Sequence, residues 1–518
     1  MLTTFPTKSR GVTVTSVERR ETITWWLLFL GLLGVTGMFG VSMLRSGPHP
    51  AMLVWFCYLT GIGLIFYQPR YGVYLTLGLS LFGDMSLATW YPFVKNFSSA
   101  ESLLYVNDAL IFSPAETFIV LTFVSWLGRG LIQRKIDWHG GDLFWPAMVF
   151  IAFITFGLGY GIMRGGSLNT GLWEARPIFY LPAMLVLTSN LIQTRRQAGK
   201  LLWIAMIAIF LEGISGTLYV ANTLQFELSS VERISEHSAS IHANTFFVLL
   251  IGAWMFRASY ARRLIMPVML PFVALSYLAN QRRAAFITLT IAIVLILAIL
   301  YWENRKAFWL ITPVLAVVGM AYLAVFWNSS GTLGMFASAI KSVVAEDASS
   351  AADQASNLYR MIENANTNFT IQNAPLTGVG FGNKFYIIIP MPDISFFVWW
   401  EYIVHNSVMW IWMKAGIGGF LSMIFLVGLS IMVGGRAFWR MPPGDIRAIA
   451  LTATLYILMH FVYAYVDMSW DNQSMIYVGT MMGLVNRLEK IVATPEPVLP
   501  KRWPWQPDPR PAPGLKPL

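Results

Sequence analysis

Chemistry is concentrated in two short stretches of this chain. In the first, His405 stands directly before Asn406-Ser407-Val408-Met409-Trp410-Ile411-Trp412-Met413-Lys414-Ala415-Gly416-Ile417-Gly418-Gly419, so an imidazole and small polar groups sit at the mouth of an apolar run. A neutral imidazole with one nitrogen held can take a proton from a hydroxyl with the other. Glu401 lies four residues earlier, within reach of that nitrogen if the helical turn extends back. A histidine in this place also serves as a helix cap or an interface group. In the second stretch, Ala279-Asn280-Gln281-Arg282-Arg283-Ala284, two adjacent guanidiniums occupy a very short turn between long apolar runs. Adjacent cations repel unless an anion or an acid separates them. Guanidinium is planar, permanently charged and suited to bidentate contact with phosphate.

The elements that must position these groups are membrane helices. The chain is 56% hydrophobic and 12% charged, with a mean hydropathy of +0.58, against roughly 25% charged residues in a soluble domain. Apolar runs long enough to cross a bilayer recur along nearly its whole length. They must be helices, because an open sheet edge cannot be left unpaired in lipid. Crossings are expected near 24–44, 51–67, 73–91, 109–127, 143–162, 177–192, 201–220, 241–256, 264–280, 284–302, 307–327, 415–433, 448–466 and 473–486. The fold class is therefore all-α, a polytopic bundle of about fourteen (12–14) transmembrane helices with one long outer loop containing short helices. The chain divides into a cytoplasmic leader (1–23), a first membrane part (24–327), the outer loop (328–402), a last membrane part (403–486) and a proline-rich tail (487–518).

Lys and Arg concentrate in alternate loops, and the positive-inside rule puts both termini in the cytoplasm. The net charge of +10 is then mostly membrane topology, with little left for a nucleic-acid partner to explain. The first crossing lacks a small-residue cleavage site and reads as a retained anchor. One cysteine, Cys57, permits no intrachain disulfide. The tail after Ala493 holds nine prolines and is expected to be extended and disordered.

Basic residues on the outer side break the charge rule: Arg164, Arg176, Arg282, Arg283, Arg360 and Lys384. An arginine facing lipid is costly, and a cavity or an anionic partner relieves the cost. Several outward arginines thus suggest a phosphate-bearing ligand at the outer leaflet, although each also has a plainer use. Arg176 has Glu174 nearby. Within the outer loop Ala351, Ala355, Leu358, Ile362, Ala365 and Phe369 form an apolar stripe at helical spacing. Arg360 lies on the opposite face with Asp353 and Glu363, either as a solvated ion pair or offered to a cavity. Gly378-Val379-Gly380-Phe381-Gly382 lacks the strand and helix that flank a phosphate-cradling loop, and a turn needing positive φ is the simpler use. His460 is expected to be hydrogen-bonded within the bundle. Asp84, Glu212, Asp467 and Asp471 are further polar candidates near outer helix ends. No His, Cys, Asp and Glu cluster at metal-ligand spacing appears, and neither a metal nor a cofactor is expected.

Taken in order, the arginine doublet opening a helix, a long outer loop with an arginine helix, Gly-Val-Gly-Phe-Gly, then His405-Asn406 followed by Gly416 and Gly419 resemble the O-antigen ligase and O-antigen polymerase superfamily of bacterial membrane glycosyltransferases. The resemblance covers roughly residues 280–433. It implies that Arg283 and Arg360 hold the pyrophosphate of an undecaprenyl-linked glycan and that His405 assists the acceptor. Arg282 stands where the family usually has a small polar residue, which leaves the choice within the doublet open. The implied activity is metal-independent, inverting transfer or polymerisation of glycan at the outer face of the bacterial cytoplasmic membrane. The implied partners are the lipid-linked glycan, a lipid or polysaccharide acceptor, membrane lipids and polysaccharide-export proteins. A lipid-linked glycan flippase is the alternative; it shares the helix number and cationic cavity but needs no long outer loop ending in His-Asn.

Overall fold

The computed structural model describes residues 34, 50–82, 93–100, 102–134, 136, 138–226, 234–329, 334–344, 351–392 and 397–493. The leader, the crossing expected at 24–44 apart from residue 34, residues 83–91 of the crossing expected at 73–91 with Asp84 among them, and the tail beyond 493 lie outside the described residues. Among the described residues all regular structure is helical, as the composition requires. Each expected crossing from residue 51 onward overlaps a helix among the described residues: α1 (Pro50–Tyr67), α2 (Arg70–Phe82), α3 (Pro114–Ile132), α4 (Phe144–Met163), α5 (Leu168–Leu191), α6 (Arg195–Asn222), α7 (Ala239–Met255), α8 (Tyr260–Ala279), α9 (Arg283–Glu303) and α10 (Arg305–Phe326). Two helices of the loop follow, α11 (Met335–Val344) and α12 (Ala351–Asn373), and then α13 (Ser407–Arg440), α14 (Asp445–Val466) and α15 (Asn472–Ala493). Eight of these are long and apolar enough to span a membrane by themselves. The last helix runs on through residues 487–493, which the sequence reading gave to the tail.

The hydrophobic core sits where α5, α7, α13, α14 and α15 pack together. Between lipid-facing helices burial of apolar surface gives little drive, so small residues that let backbones approach do the work. On α15 a Cβ at Gly479 would stand 2.3 Å from the Leu181 carbonyl oxygen of α5, which shows how closely the two helices pass. By contrast α10 has no buried residue at all and presents apolar side chains all round.

α13 is broken at Gly416 (φ 68°, ψ −173°), and the break is where the loop docks. In an unbroken helix the Ile417 amide would donate to the Met413 carbonyl. Here Ile417 N–H donates to the Pro375 carbonyl at 3.0 Å, and Val379 N–H donates to the Met413 carbonyl at 2.8 Å. Both groups that the kink frees are thus satisfied by the glycine loop, which is the condition for irregular backbone at membrane depth. Gly378, Gly380 and Gly382 all have positive φ, as the sequence suggested. A Cβ at Gly380 would stand 2.3 Å from the Gly161 Cα, so the loop lies backbone to backbone on α4.

An ion pair fixes the same loop from the other side. Lys414 Nζ lies 2.8 Å from Glu174 Oε1, with neither side chain exposed. Glu174 also accepts from Gly382 N–H at 2.6 Å, and Lys414 donates to the Asn383 carbonyl. Glu174, which the sequence offered to Arg176, is therefore committed to Lys414.

Candidate functional site

The site is organised by the polar face of α12. The apolar stripe is left partly uncovered by the protein, with Leu358 54% and Phe369 37% exposed, whereas Glu363, Asn366, Thr367 and Thr370 are buried. The reason is hydrogen bonding: the side chain of Asn366 accepts from Ile388 N–H and Ile389 N–H and donates to the Ile389 carbonyl. Thr370 Oγ1 accepts from Tyr386 N–H at 2.9 Å. The polar face binds the extended return of the loop, and an unpaired backbone buried there would cost more than exposing a few apolar side chains.

Three residues of this helix, spaced three apart, each meet a different part of the site. Asn357 Oδ1 accepts from Arg283 Nη2 at 3.5 Å. Arg360 Nη2 lies 3.9 Å from Asp467 Oδ2. Glu363 is 1% exposed; it accepts from His405 N–H at 2.8 Å and meets His405 Nδ1 with both carboxylate oxygens at 3.1 Å. α12 therefore gathers His405, Arg360 and Arg283. Arg282, the N-cap of α9, acts electrostatically on Asp467 and Tyr463, and its Nε is buried without a hydrogen-bond partner.

Glu401, expected to hold the imidazole, pairs instead with Lys384. The assignment fails because residues 403–406 are not helical, so the four-residue spacing does not bring Glu401 onto His405. Glu363 takes that role. The proposed solvated pair of Arg360 with Glu363 and Asp353 does not form from Glu363, which is buried on His405; nothing is described of the Asp353 side chain.

Two further groups complete the arrangement. Asp467, at the C-cap of α14, binds His237 Nδ1 at 3.2 Å as well as facing Arg360, and Tyr463 Oη donates to it at 3.3 Å. Burial pushes the Asp467 carboxyl up, but the hydrogen bond and charge of His237, with Arg360 and Arg282, outweigh burial and hold it below the usual carboxylate range. The Tyr359 ring stands edge-on to the imidazole, centroids 5.6 Å apart. Burial of His405 works against its charged form, yet the Glu363 hydrogen bond and charge, helped by Asp467, prevail over burial and Arg360 and raise its pKa above 6.5. With Nδ1 donating to an ionised carboxylate, Nε2 carries the free lone pair.

The other cations that the charge rule placed on the outer side go elsewhere. Arg176 pairs with Glu116 at 3.1 Å and donates to Asn96, and Arg164 is exposed at the end of α4. His460 Nε2 meets the Ser469 carbonyl at 3.1 Å, within the bundle as expected. Glu212 is buried on α6. Asp471 caps the start of α15 through Ser474. Among the described residues no group of three His, Cys, Asp or Glu side chains could hold a metal ion.

Sequence reasoning missed Glu363 as the histidine's partner and missed His237 altogether. The signal for Glu363 was its position three residues after Arg360, on the face that carries both. His237 left no signal.

No curated protein matches the chain. Residues 268–424, which run from within α8 to within α13 and include Arg282, Arg283, Arg360, Glu363 and His405, match the O-antigen ligase family.

Proposed function

We propose that the protein is a glycosyltransferase of the bacterial cytoplasmic membrane that moves glycan from an undecaprenyl-pyrophosphate donor to an acceptor hydroxyl at the outer face, as a ligase or a polymerase. The observation that carries this reading is the convergence of the His405–Glu363 pair, Arg360 and Arg283 on one face of α12, inside the segment that matches the O-antigen ligase family.

In this reading three guanidiniums face two carboxylates, Glu363 and Asp467, so the cluster has positive charge to spare for a diphosphate. The acceptor oxygen attacks the anomeric carbon as its proton passes to His405 Nε2. The bond from that carbon to the phosphate oxygen breaks on the opposite side, and the lipid pyrophosphate leaves with the electron pair. Inversion follows from this single displacement. Arg360 and Arg283, with Arg282 beside them, stabilise the charge that grows on the leaving group. Pyrophosphate already leaves well, so positioning and charge stabilisation contribute more than strong base catalysis, and the residues named suffice without a metal.

The test is reconstitution of purified protein in liposomes with lipid-linked glycan and candidate acceptors. Wild-type protein should form product without added divalent cation. His405→Ala, Arg283→Ala and Arg360→Ala should each abolish transfer while still inserting into the membrane. Normal transfer by any one variant would remove that residue from the mechanism. Absence of transfer, together with lipid-linked glycan trapped in the inner leaflet of a deletion strain, would favour the flippase instead.

A further inference from the structure

Beside the segment that carries the imidazole, though not lined by His405 itself, lies a cavity of about 510 Å³, within the roughly 300–1,000 Å³ of small-molecule sites. Its wall includes Val404, Ser407 and Trp410 from the segment that carries His405, and Met468 and Asp471 beside Asp467. None of Arg282, Arg283 or Arg360 lines it.

Its chemistry differs from that of the arginine cluster. Three indoles, Trp173, Trp410 and Trp470, contribute to the lining. Two of them are held rigidly: Trp173 stacks on Trp399 with centroids 4.5 Å apart, and Trp410 Nε1 donates to the Tyr402 carbonyl at 3.0 Å. Trp470 Nε1, a donor, and Asn472 Oδ1, an acceptor, are buried without a hydrogen-bond partner. Buried polar groups are seldom left so, and here a ligand able both to give and to take hydrogen bonds would satisfy them. Three carboxylates also line the cavity, Glu236, Asp471 and Glu174, the last paired with Lys414. Its cations are already answered, Arg176 by Glu116 and Lys95 by the charge of Glu236. A pyrophosphate would meet repulsion there. A pyranose would not: its apolar face lies against indole rings, and its hydroxyls donate to carboxylates and amides while accepting from an indole N–H.

We propose that this cavity is a saccharide subsite, that it seats the acceptor sugar whose hydroxyl is presented to His405, and that Trp470 and Asn472 hold that sugar. The assignment of acceptor, though not of saccharide, rests on the glycosyl-transfer reading above.

Binding and turnover are measured separately. Oligosaccharides released by mild acid from the host's lipid-linked glycan, and separately from its finished surface polysaccharide, are titrated by calorimetry into His405→Ala protein in nanodiscs, where no turnover occurs. Adding Trp470→Ala or Asn472→Ala to that background should weaken binding about tenfold, as loss of a hydrogen bond and a stacking ring implies. Trp470→Phe, which keeps a ring and drops the N–H, should fall between. In steady-state transfer by otherwise wild-type protein, the same changes should raise the acceptor KM about tenfold and leave kcat and donor KM nearly unchanged. Unaltered binding in all three variants would overturn the subsite. A rise in donor KM instead would overturn the acceptor assignment and give the cavity to the donor's sugars. Weakened binding by variants of a protein that transfers nothing would sink the reaction while sparing the subsite.

Discussion

At the scale of single residues, Glu363 decides how His405 can work. An imidazole accepts a proton only in its neutral form. Its pKa here is raised above 6.5, chiefly because the Glu363 hydrogen bond and charge overcome the opposing effect of burial. Below that raised pKa the group is imidazolium and cannot accept, so activity should fall on acidification at a higher pH than the ionisation of a free imidazole would cause. Glu363→Gln keeps the shape and removes the charge. It should move the acid limb of the kcat/KM profile to lower pH and cut the rate by about 10- to 1,000-fold, between the loss of a charged hydrogen bond and the loss of a base. A purely structural role for Glu363 would lower the rate and leave the limb in place. Glu401→Gln, which touches Lys384 instead, should leave both within about twofold of wild type. The histidine and the arginines were legible in the sequence because ionisable groups at the ends of apolar runs are conspicuous whatever surrounds them. The partner was not. His405 and Glu363 are 42 positions apart, and no local periodicity encodes a contact across that separation, while the one local candidate failed because the chain around it is not helical.

At the scale of elements, hydropathy finds helices and says less about how they face. Crossings were legible because bilayer length and apolar composition are properties of one segment. What the polar face of α12 binds was not, because Asn366 and Thr370 satisfy the backbone of residues 386–389, a partner that the spacing along one helix does not encode. Gly416 was legible as part of a motif, but its use became clear only when Pro375 and Val379 were seen to take the hydrogen bonds that its kink releases. Two expectations follow for this docking. Gly380→Ala forces a Cβ against α4 at a residue with φ of 84°, so it should destabilise by about 1–3 kcal/mol from backbone strain alone. A fall in thermal midpoint with loss of transfer would show it, and a wild-type midpoint would contradict the packing. Lys414→Met leaves Glu174 buried without its cation, a change that costs about 3–5 kcal/mol in comparable cases. Lys414→Met with Glu174→Met removes the orphaned charge and should recover most of the lost thermal midpoint. It should not recover full activity, because Gly382 N–H and the Asn383 carbonyl lose their partners.

At the scale of the whole molecule, charge is sorted between the two ends of the bundle in different ways. Away from the loop, arginines are tied to carboxylates of neighbouring elements: Arg436 to Asp142 and Glu489, Arg440 to Glu489, Arg447 to Glu303 and Arg262 to Asp445. At the loop end, guanidiniums collect around α12 with fewer carboxylates to answer them. The positive-inside rule assigns the first end to the cytoplasm, and the proposed chemistry needs the second to face outward, where a lipid-linked glycan meets its acceptor. One experiment joins the two claims. In a Cys57→Ala background, Gln354→Cys on the exposed side of α12 should react with a membrane-impermeant maleimide in intact spheroplasts. Pro443→Cys, exposed in the turn between α13 and α14, should react only after permeabilisation. The reverse pattern would put His405 and its arginines in the cytoplasm, and glycan transfer at the outer face would fail with it.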